Sequence, residues 1–273
     1  MQKTFETPGP TNLYVELGSG SLTVHTDDVA TTTVDVTGRD AADTTVEERG
    51  RQVVVLAPRN RIGFRGGEDN LTVHVTMPHG SSLATKLGSA DVTAHGRLGE
   101  TRVKTGSGDV TLGHVEGKAL VEAGSGSISI DEITDDLRAK TGSGDVEIGR
   151  AAGTTSVSTG SGDVTIGAAP LPLTAKSGSG DLRVREAGSD VTLTTASGDL
   201  VVDSMQRGQL QAKNVSGDIR VGIPAGVPVW TDVSSVTGEV TSTLAGAGQP
   251  ADGQDYVELH AKTVSGDVHL EQR

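Results

Sequence analysis

The sequence contains no cysteine, which excludes a disulfide framework and thiolate chemistry of any kind. Aromatic side chains are almost missing: Phe5, Phe64, Tyr14, Tyr256 and Trp230 are the whole set. That is too few for the stacking platforms of single-strand nucleic-acid binders. The densest apolar run is Val53 to Ala57, far short of the roughly 20 residues a membrane helix needs. Lysine and arginine form no basic block, and a net charge of −13 repels phosphates and anionic lipid. These shortages argue against nucleic acid as a partner and against membrane insertion. The opening MQKTFETPGPTNLY lacks the basic-then-apolar layout of a secretory signal. The expected location is the cytoplasm, with a surface or secreted place requiring export without a recognisable signal.

What is abundant is glycine, with 38 residues among 273, about double the usual ~7% share. The apolar residues are Val, Leu, Ile and Ala. Together they point to many short strands joined by tight turns.

The turns belong to a phrase that recurs. KTGSGDVTLG at 104–113 returns as KTGSGDVEIG at 140–149 and STGSGDVTIG at 158–167, and again, altered, as KSGSGDLRVR at 176–185 and KTVSGDVHLE at 262–271. Taking the residue after the Ser-Gly pair (Ser-Ala before Asp91) as a marker gives Asp91, Asp109, Ser127, Asp145, Asp163, Asp181 and Asp199, each 18 residues after the last. Asp218, Glu239 and Asp267 follow at steps of 19, 21 and 28. A fixed period without drift means stacked, near-identical units. Within a unit the apolar residues alternate: Val103 opposes Arg102 and Lys104, and Val110 with Leu112 opposes Asp109 and Thr111, which is strand patterning. Gly106 and Gly108 suit a corner needing positive φ, and a second corner falls at Gly113 or Gly117.

Two short strands cannot bury an apolar face alone, but stacked coils can, each laying aliphatics such as Val103, Val110, Leu112 and Val115 on those of the next. The predicted fold is all-β, a parallel β-solenoid (β-helix) with ~18-residue coils, right-handed because parallel crossovers are. Eighteen divides as two nines or three sixes, so the number of faces stays open. A propeller blade is too long for this period, and a sandwich does not require a constant step. Three regions are expected: 1–80 as N-terminal strands and cap continuous with the solenoid, 81–222 as the regular solenoid, and 223–273 as irregular C-terminal coils with a loop at 244–255.

Stacking places like residues in columns. Asp91, Asp109, Asp145, Asp163, Asp181, Asp199, Asp218 and Asp267 form one. Five residues before six of these markers stand Lys86, Lys104, Lys140, Lys176, Lys213 and Lys262, six of the eight lysines. Where the marker is Ser127, the partner position is Glu122; Ser158 and Thr194 interrupt the lysines. Carboxylates ~4.8 Å apart repel by ~3–4 kcal/mol at an effective dielectric of 20, so a lysine column beside an aspartate column, with turn amides also bonding Asp, is the structural reading. The calcium β-roll fits poorly, because Asp here directly precedes the aliphatic residue and occurs once per coil. Paired carboxylates of a retaining glycosidase carry no information where every column has that spacing. The seven histidines show no metal-ligand spacing, and no phosphate loop, nucleophile elbow or dinucleotide fingerprint occurs. NLT at Asn70 and NVS at Asn214 match the glycosylation triplet by chance. No catalytic residue, metal or cofactor is expected.

Solenoid ends need caps. Residues 59–70 form a charged loop with Phe64 set to pack over the first coil. Trp230 is the candidate C-terminal cap, covering a wider coil. The closing repeat leaves only Glu271, Gln272 and Arg273 beyond it, so either the 244–255 loop folds over that end or the end meets another molecule.

The repeated TGSGDV, the segment IPAGVPVWTDVSSVTGEV and the closing KTVSGDVHL resemble the bacterial putative-adhesin family of β-strand-repeat proteins, in its actinobacterial version. The likeness covers essentially the whole chain. It implies a β-solenoid domain of unknown function without enzymatic activity, catalytic residues or cofactor. Three functions are weighed: a non-enzymatic scaffold or interaction protein, self-associating through its solenoid ends or sides; a surface or secreted adhesin binding a protein or glycan; and a carbohydrate-active β-helix enzyme.

Overall fold

The structure, a computed structural model, describes residues 1–58, 71–246, 250–251 and 253–273. The 59–70 loop and its Phe64 lie outside the described residues. The chain divides into two compact units, Met1–Asp135 and Asp136–Arg273. Each is built of parallel strands lying on two faces, so the coil has two faces rather than three.

The first unit holds β1 (Gln2–Glu6), β2 (Asn12–Asp27), β3 (Thr31–Thr37), β4 (Thr45–Arg49), β5 (Gln52–Leu56), β6 (Leu71–Pro78), β7 (Ser82–Leu98), β8 (Thr101–Thr105), β9 (Val110–Val115), β10 (Ala119–Ala123) and β11 (Ile128–Ile133). β2 and β7 are long enough to turn the corner and serve both faces, pairing along thirteen positions from Asn12↔Ser82 to His25↔His95. One face runs β4-β5-β2-β7-β8-β10. The other runs β1-β3-β6-β2-β7-β9-β11. β1, β3 and β4 are antiparallel additions. The first unit is therefore finished at one edge by hairpin-like strands instead of further coils.

The second unit holds β12 (Leu137–Thr141), β13 (Val146–Ala151), β14 (Thr155–Ser158), β15 (Val164–Ala169), β16 (Leu173–Lys176), β17 (Leu182–Ala187), β18 (Val191–Thr194), β19 (Leu200–Met205), β20 (Gly208–Lys213), β21 (Ile219–Ile223), β22 (Val229–Ser235), β23 (Val240–Ser242), β24 (Val257–Thr263) and β25 (Val268–Gln272). Its faces run β12-β14-β16-β18-β20-β24-β22 and β13-β15-β17-β19-β21-β25-β23. The last repeat in sequence is thus next to last in space, and the Trp230 segment lies outside it. The expectation that the chain ends on its outermost coil is corrected by this register.

Alternation in sequence becomes columns in space. Val146, Val164, Leu182, Leu200, Ile219 and Val268 stack directly, and all are at most 1% exposed. Ala139, Val157, Ala175, Leu193, Ala212 and Ala261 face them from the other sheet. This alternation of small and large residues leaves no room for aromatic rings. Each large aliphatic so buried contributes roughly 1.5–3 kcal/mol.

Glycine at the corner has a reason other than the expected one. Gly108 and Gly162 do not adopt positive φ. A Cβ on Gly108 would overlap the carbonyl oxygen of Ala90, and one on Gly162 that of Gly144. Close backbone approach between coils, not turn handedness, demands glycine there. At the equivalent corner position of other coils, Gly20, Gly198, Gly217 and Gly266 do take positive φ, of 122°, 149°, 126° and 149°.

Candidate functional site

The marker aspartates form a continuous hydrogen-bonded ladder within each unit. The backbone N–H of Asp109 donates to Asp91 Oδ1 at 2.9 Å, and that of Ser127 to Asp109 Oδ1 at 2.8 Å. In the second unit the amides of Asp163, Asp181, Asp199 and Asp218 donate to the Oδ1 of Asp145, Asp163, Asp181 and Asp199 at 2.7–2.9 Å. Asp267 then bonds Asp218 at 2.9 Å and Glu239 bonds Asp267 at 2.8 Å, which repeats the order of the strands. Each carboxylate thus holds the next coil's amide, a charge-assisted bond.

The lysines stand in register on a separate column, but among the described residues none forms an ion pair with a marker aspartate. Lys86 reaches Glu16 at 4.0 Å, Lys104 reaches Glu122 at 3.2 Å and Lys262 reaches Asp232 at 3.3 Å. Glu16, Lys86, Lys104 and Glu122 are consecutive rungs, so opposite charges meet directly across the ~4.8 Å strand spacing. In the second unit Ser158 and Thr194 separate Lys140, Lys176 and Lys213, which doubles the distance between those like charges, while Lys213 and Lys262 are adjacent rungs. Rung neighbours are nearer than groups across the corner, and that decides the pairing. Arginine, unnoticed in the repeat, serves the markers: Arg220 contacts Asp218 at 2.9 Å and Asp199 at 3.5 Å.

A second ladder was not foreseen. Thr159 Oγ1 donates to the Gly144 carbonyl and accepts from the Gly162 N–H, both at 3.1 Å. Ser177 and Thr195 donate to Gly162 and Gly180 in the same way at 3.1 Å, and Asn214 Nδ2 reaches Gly217 O at 2.7 Å. These side chains lie four residues before the marker and are inward by parity. The signal was present as a hydroxyl recurring at one repeat position.

The least repetitive surface lies at β20, β24 and β22. Trp230 is 57% exposed and Tyr256 48%; the indole stands on the outermost coil and faces outward. Register places Gln209, Glu258 and Trp230 in one row, and Gln211, His260 and Asp232 in the next. The indole meets the His260 ring edge-on, centroids 5.5 Å apart. His260 Nε2 lies 3.0 Å from Glu258 Oε1 and Nδ1 lies 3.4 Å from Asp232 Oδ2. With a carboxylate at each nitrogen, the imidazole pKa is raised, chiefly by the hydrogen bond to Glu258, with burial opposing and the bond to Asp232 adding to it. The bond from His260 and that from Lys262 lower the Asp232 carboxyl. A cleft of ≈310 Å³ opens beside this surface, lined by Asp190, Arg207, Gln209, Asp255, Tyr256 and Glu258 among others. Among the described residues no group of three or more histidine and carboxylate side chains is arranged to hold a metal, and no helix is long and apolar enough to cross a membrane.

The fold and its ladders define a parallel β-solenoid protein. The family model Toastrack DUF4097 matches residues 11–187 and 135–271. The chain belongs to that family, whose function is undefined. No curated protein matches the sequence. Among solved structures, a putative lipid binding protein from Parabacteroides distasonis is similar at 16% identity with a TM-score of 0.51, covering 99% of this chain and 96% of that one. A putative adhesin from Bacteroides fragilis is similar at 11% identity with a TM-score of 0.41, covering 99% and 96%. At such identities the first likeness is one of fold.

Proposed function

We propose that the protein is a non-enzymatic interaction module, a β-solenoid whose side face binds a partner. The observation that carries this reading is the aspartate ladder. The most numerous carboxylates in the repeat are committed to backbone amides of the next coil, one after another at 2.7–2.9 Å. Catalysis needs one asymmetric place with two differently tuned acids, and a column of equivalent acceptors is the opposite arrangement. Self-association through a solenoid end is less favoured at β22 and β23, where two of the inward columns end on Thr231 and Ser242 opposite Leu259 and Leu270. Those two polar positions make the coil a poorer match for a second apolar end.

Capture of partners from native lysate, with a hydrolysis screen on neutral and acidic polysaccharides, tests the reading. A retained partner with no turnover is expected; release of reducing ends by the purified protein would overturn it. Fractionation of native cells separates a cytoplasmic scaffold from a surface adhesin.

A further inference from the structure

We infer that the face around Trp230, Tyr256 and Gln209 is a binding site for neutral carbohydrate. The inference rests on the interaction-module reading and names its partner class. In a protein with five aromatic Phe, Trp and Tyr side chains, Trp230 and Tyr256 are both strongly exposed, whereas Phe5 and Tyr14 are half-buried. Trp230 is on β22, and Tyr256 immediately precedes the adjacent strand β24. Trp230 lies opposite Glu258, and Tyr256 stands two residues before Glu258 in the chain. A sugar ring offers C–H groups on its faces and hydroxyls around its rim. An exposed aromatic face suits the first, and side chains that both donate and accept suit the second.

Gln209 is of that kind, while the carboxylates beside it accept and Arg207 donates. Gln209 is exposed, and its backbone amide is fixed by Asp190 Oδ1 at 2.9 Å. Glu258 is oriented by His260 at 3.0 Å. Arg207 stands 3.9 Å from Asp255 across the mouth of the ≈310 Å³ cleft. The charges are engaged with one another or with backbone: Arg207 with Asp255, Asp190 with the Gln209 amide, and Lys262 and His260 with Asp232 and Glu258. In a chain of net charge −13, a face whose charges are spent internally favours neither a cation nor a polyanion. It selects a neutral ligand recognised by stacking and hydroxyl bonds. The hollow of ≈480 Å³ around Glu6, Pro8, Pro10, Glu48 and Arg51 has no aromatic lining and lacks this combination.

Trp230 is the sole tryptophan, so its emission reports this face alone. The full chain is titrated with soluble neutral glucan, mannan and galactan oligosaccharides, with alginate and tetramethylammonium as charged comparisons. A saturable emission change with at least one neutral sugar is expected, weakened roughly tenfold in Tyr256→Ala with melting temperature unchanged. Retardation in polysaccharide gels reads Trp230→Ala and Gln209→Ala, which should migrate as though no sugar were present. No emission change with any neutral oligosaccharide at millimolar concentration overturns the site, as does saturation by alginate or tetramethylammonium alone. Binding that survives both aromatic substitutions overturns it too. A protein captured from lysate while every sugar fails removes the carbohydrate inference and leaves the interaction module standing; hydrolysis of a bound sugar removes the module.

Discussion

Thr85 sits inward between Val15 and Val103, and its hydroxyl, 5% exposed with its residue, has no hydrogen-bond partner among the described residues. Thr159, equally inward, spends its hydroxyl on two backbone groups. The same substitution should therefore have opposite effects. Thr85→Val removes an unsatisfied buried oxygen and completes an apolar column, and is expected to stabilise by about 1 kcal/mol. Thr159→Val orphans a buried N–H and carbonyl and is expected to cost roughly 1–3 kcal/mol. Denaturant unfolding of both variants checks the pair; a loss in each would mean the Thr85 hydroxyl is satisfied after all. His260 offers a prediction of charge. Its pKa is raised above 6.5, first by Glu258 on its own strand and then by Asp232 on β22, so the stability it contributes is complete below 6.5 and fades as pH rises through the folded value. The Asp232 pKa is lowered below 3.8, so its share is complete above 3.8 and fades as pH falls through the folded value. Both act fully between those pH values. A proton NMR titration should place His260 above 6.5, and Glu258→Gln should bring it down more than Asp232→Asn.

At the scale of the strand, the ladders convert a repeat into both attraction and repulsion. Each marker carboxylate bonds the next amide, yet successive carboxylates ~4.8 Å apart repel by ~1 kcal/mol in water-like surroundings and ~3–4 kcal/mol at an effective dielectric of 20. Salt screens the repulsion and leaves the short hydrogen bond largely intact. Melting temperature should therefore rise with added sodium chloride. Asp163→Asn keeps an acceptor for the Asp181 amide while removing one charge between Asp145 and Asp181; it should melt no lower than the parent and respond less to salt. Asp163→Ala loses the acceptor and should melt lower. A steep fall in Asp163→Asn would show that the carboxylate charge is indispensable to the rung. The aspartate position was legible in the sequence because a period-two pattern and a constant step fix parity and register together. The lysine partner was not. Sequence distance suggested Asp five residues on, but the two lie on strands either side of a corner, while Glu16 and Glu122 are rungs adjacent to Lys86 and Lys104. Contact in a solenoid follows the stack, not the chain.

Across the whole molecule, the regular coils were readable and the chain's path at the irregular coils was not. β2 lies between β7 and the pair β5 and β6, and β24 with β25 lies between β20 with β21 and β22 with β23. Repeat register alone puts Gln209, Trp230 and Glu258 in one row, each nine residues before its marker, but it cannot order them, because parallel strands with long connections pair equally well in either sequence. Composition settles the order. Inward positions of the inserted repeat are Val257, Leu259, Ala261, Val268 and Leu270, all at most 3% exposed. The outer coil offers Val229, Thr231, Val233, Val240 and Ser242, of which Thr231, Val240 and Ser242 are exposed. The more apolar segment takes the covered place, and a coil with polar residues at two of its five inward positions closes the stack. This makes the terminal coil a barrier to stacking between copies, and the barrier can be removed. Replacing Thr231 and Ser242 together by leucine extends the Leu259 and Leu270 columns to an open edge. Light scattering should then show concentration-dependent association that the parent lacks, suppressed when a lysine is placed at Val240. Association of the parent to the same degree would mean that β22 and β23 are an interface and not a cap.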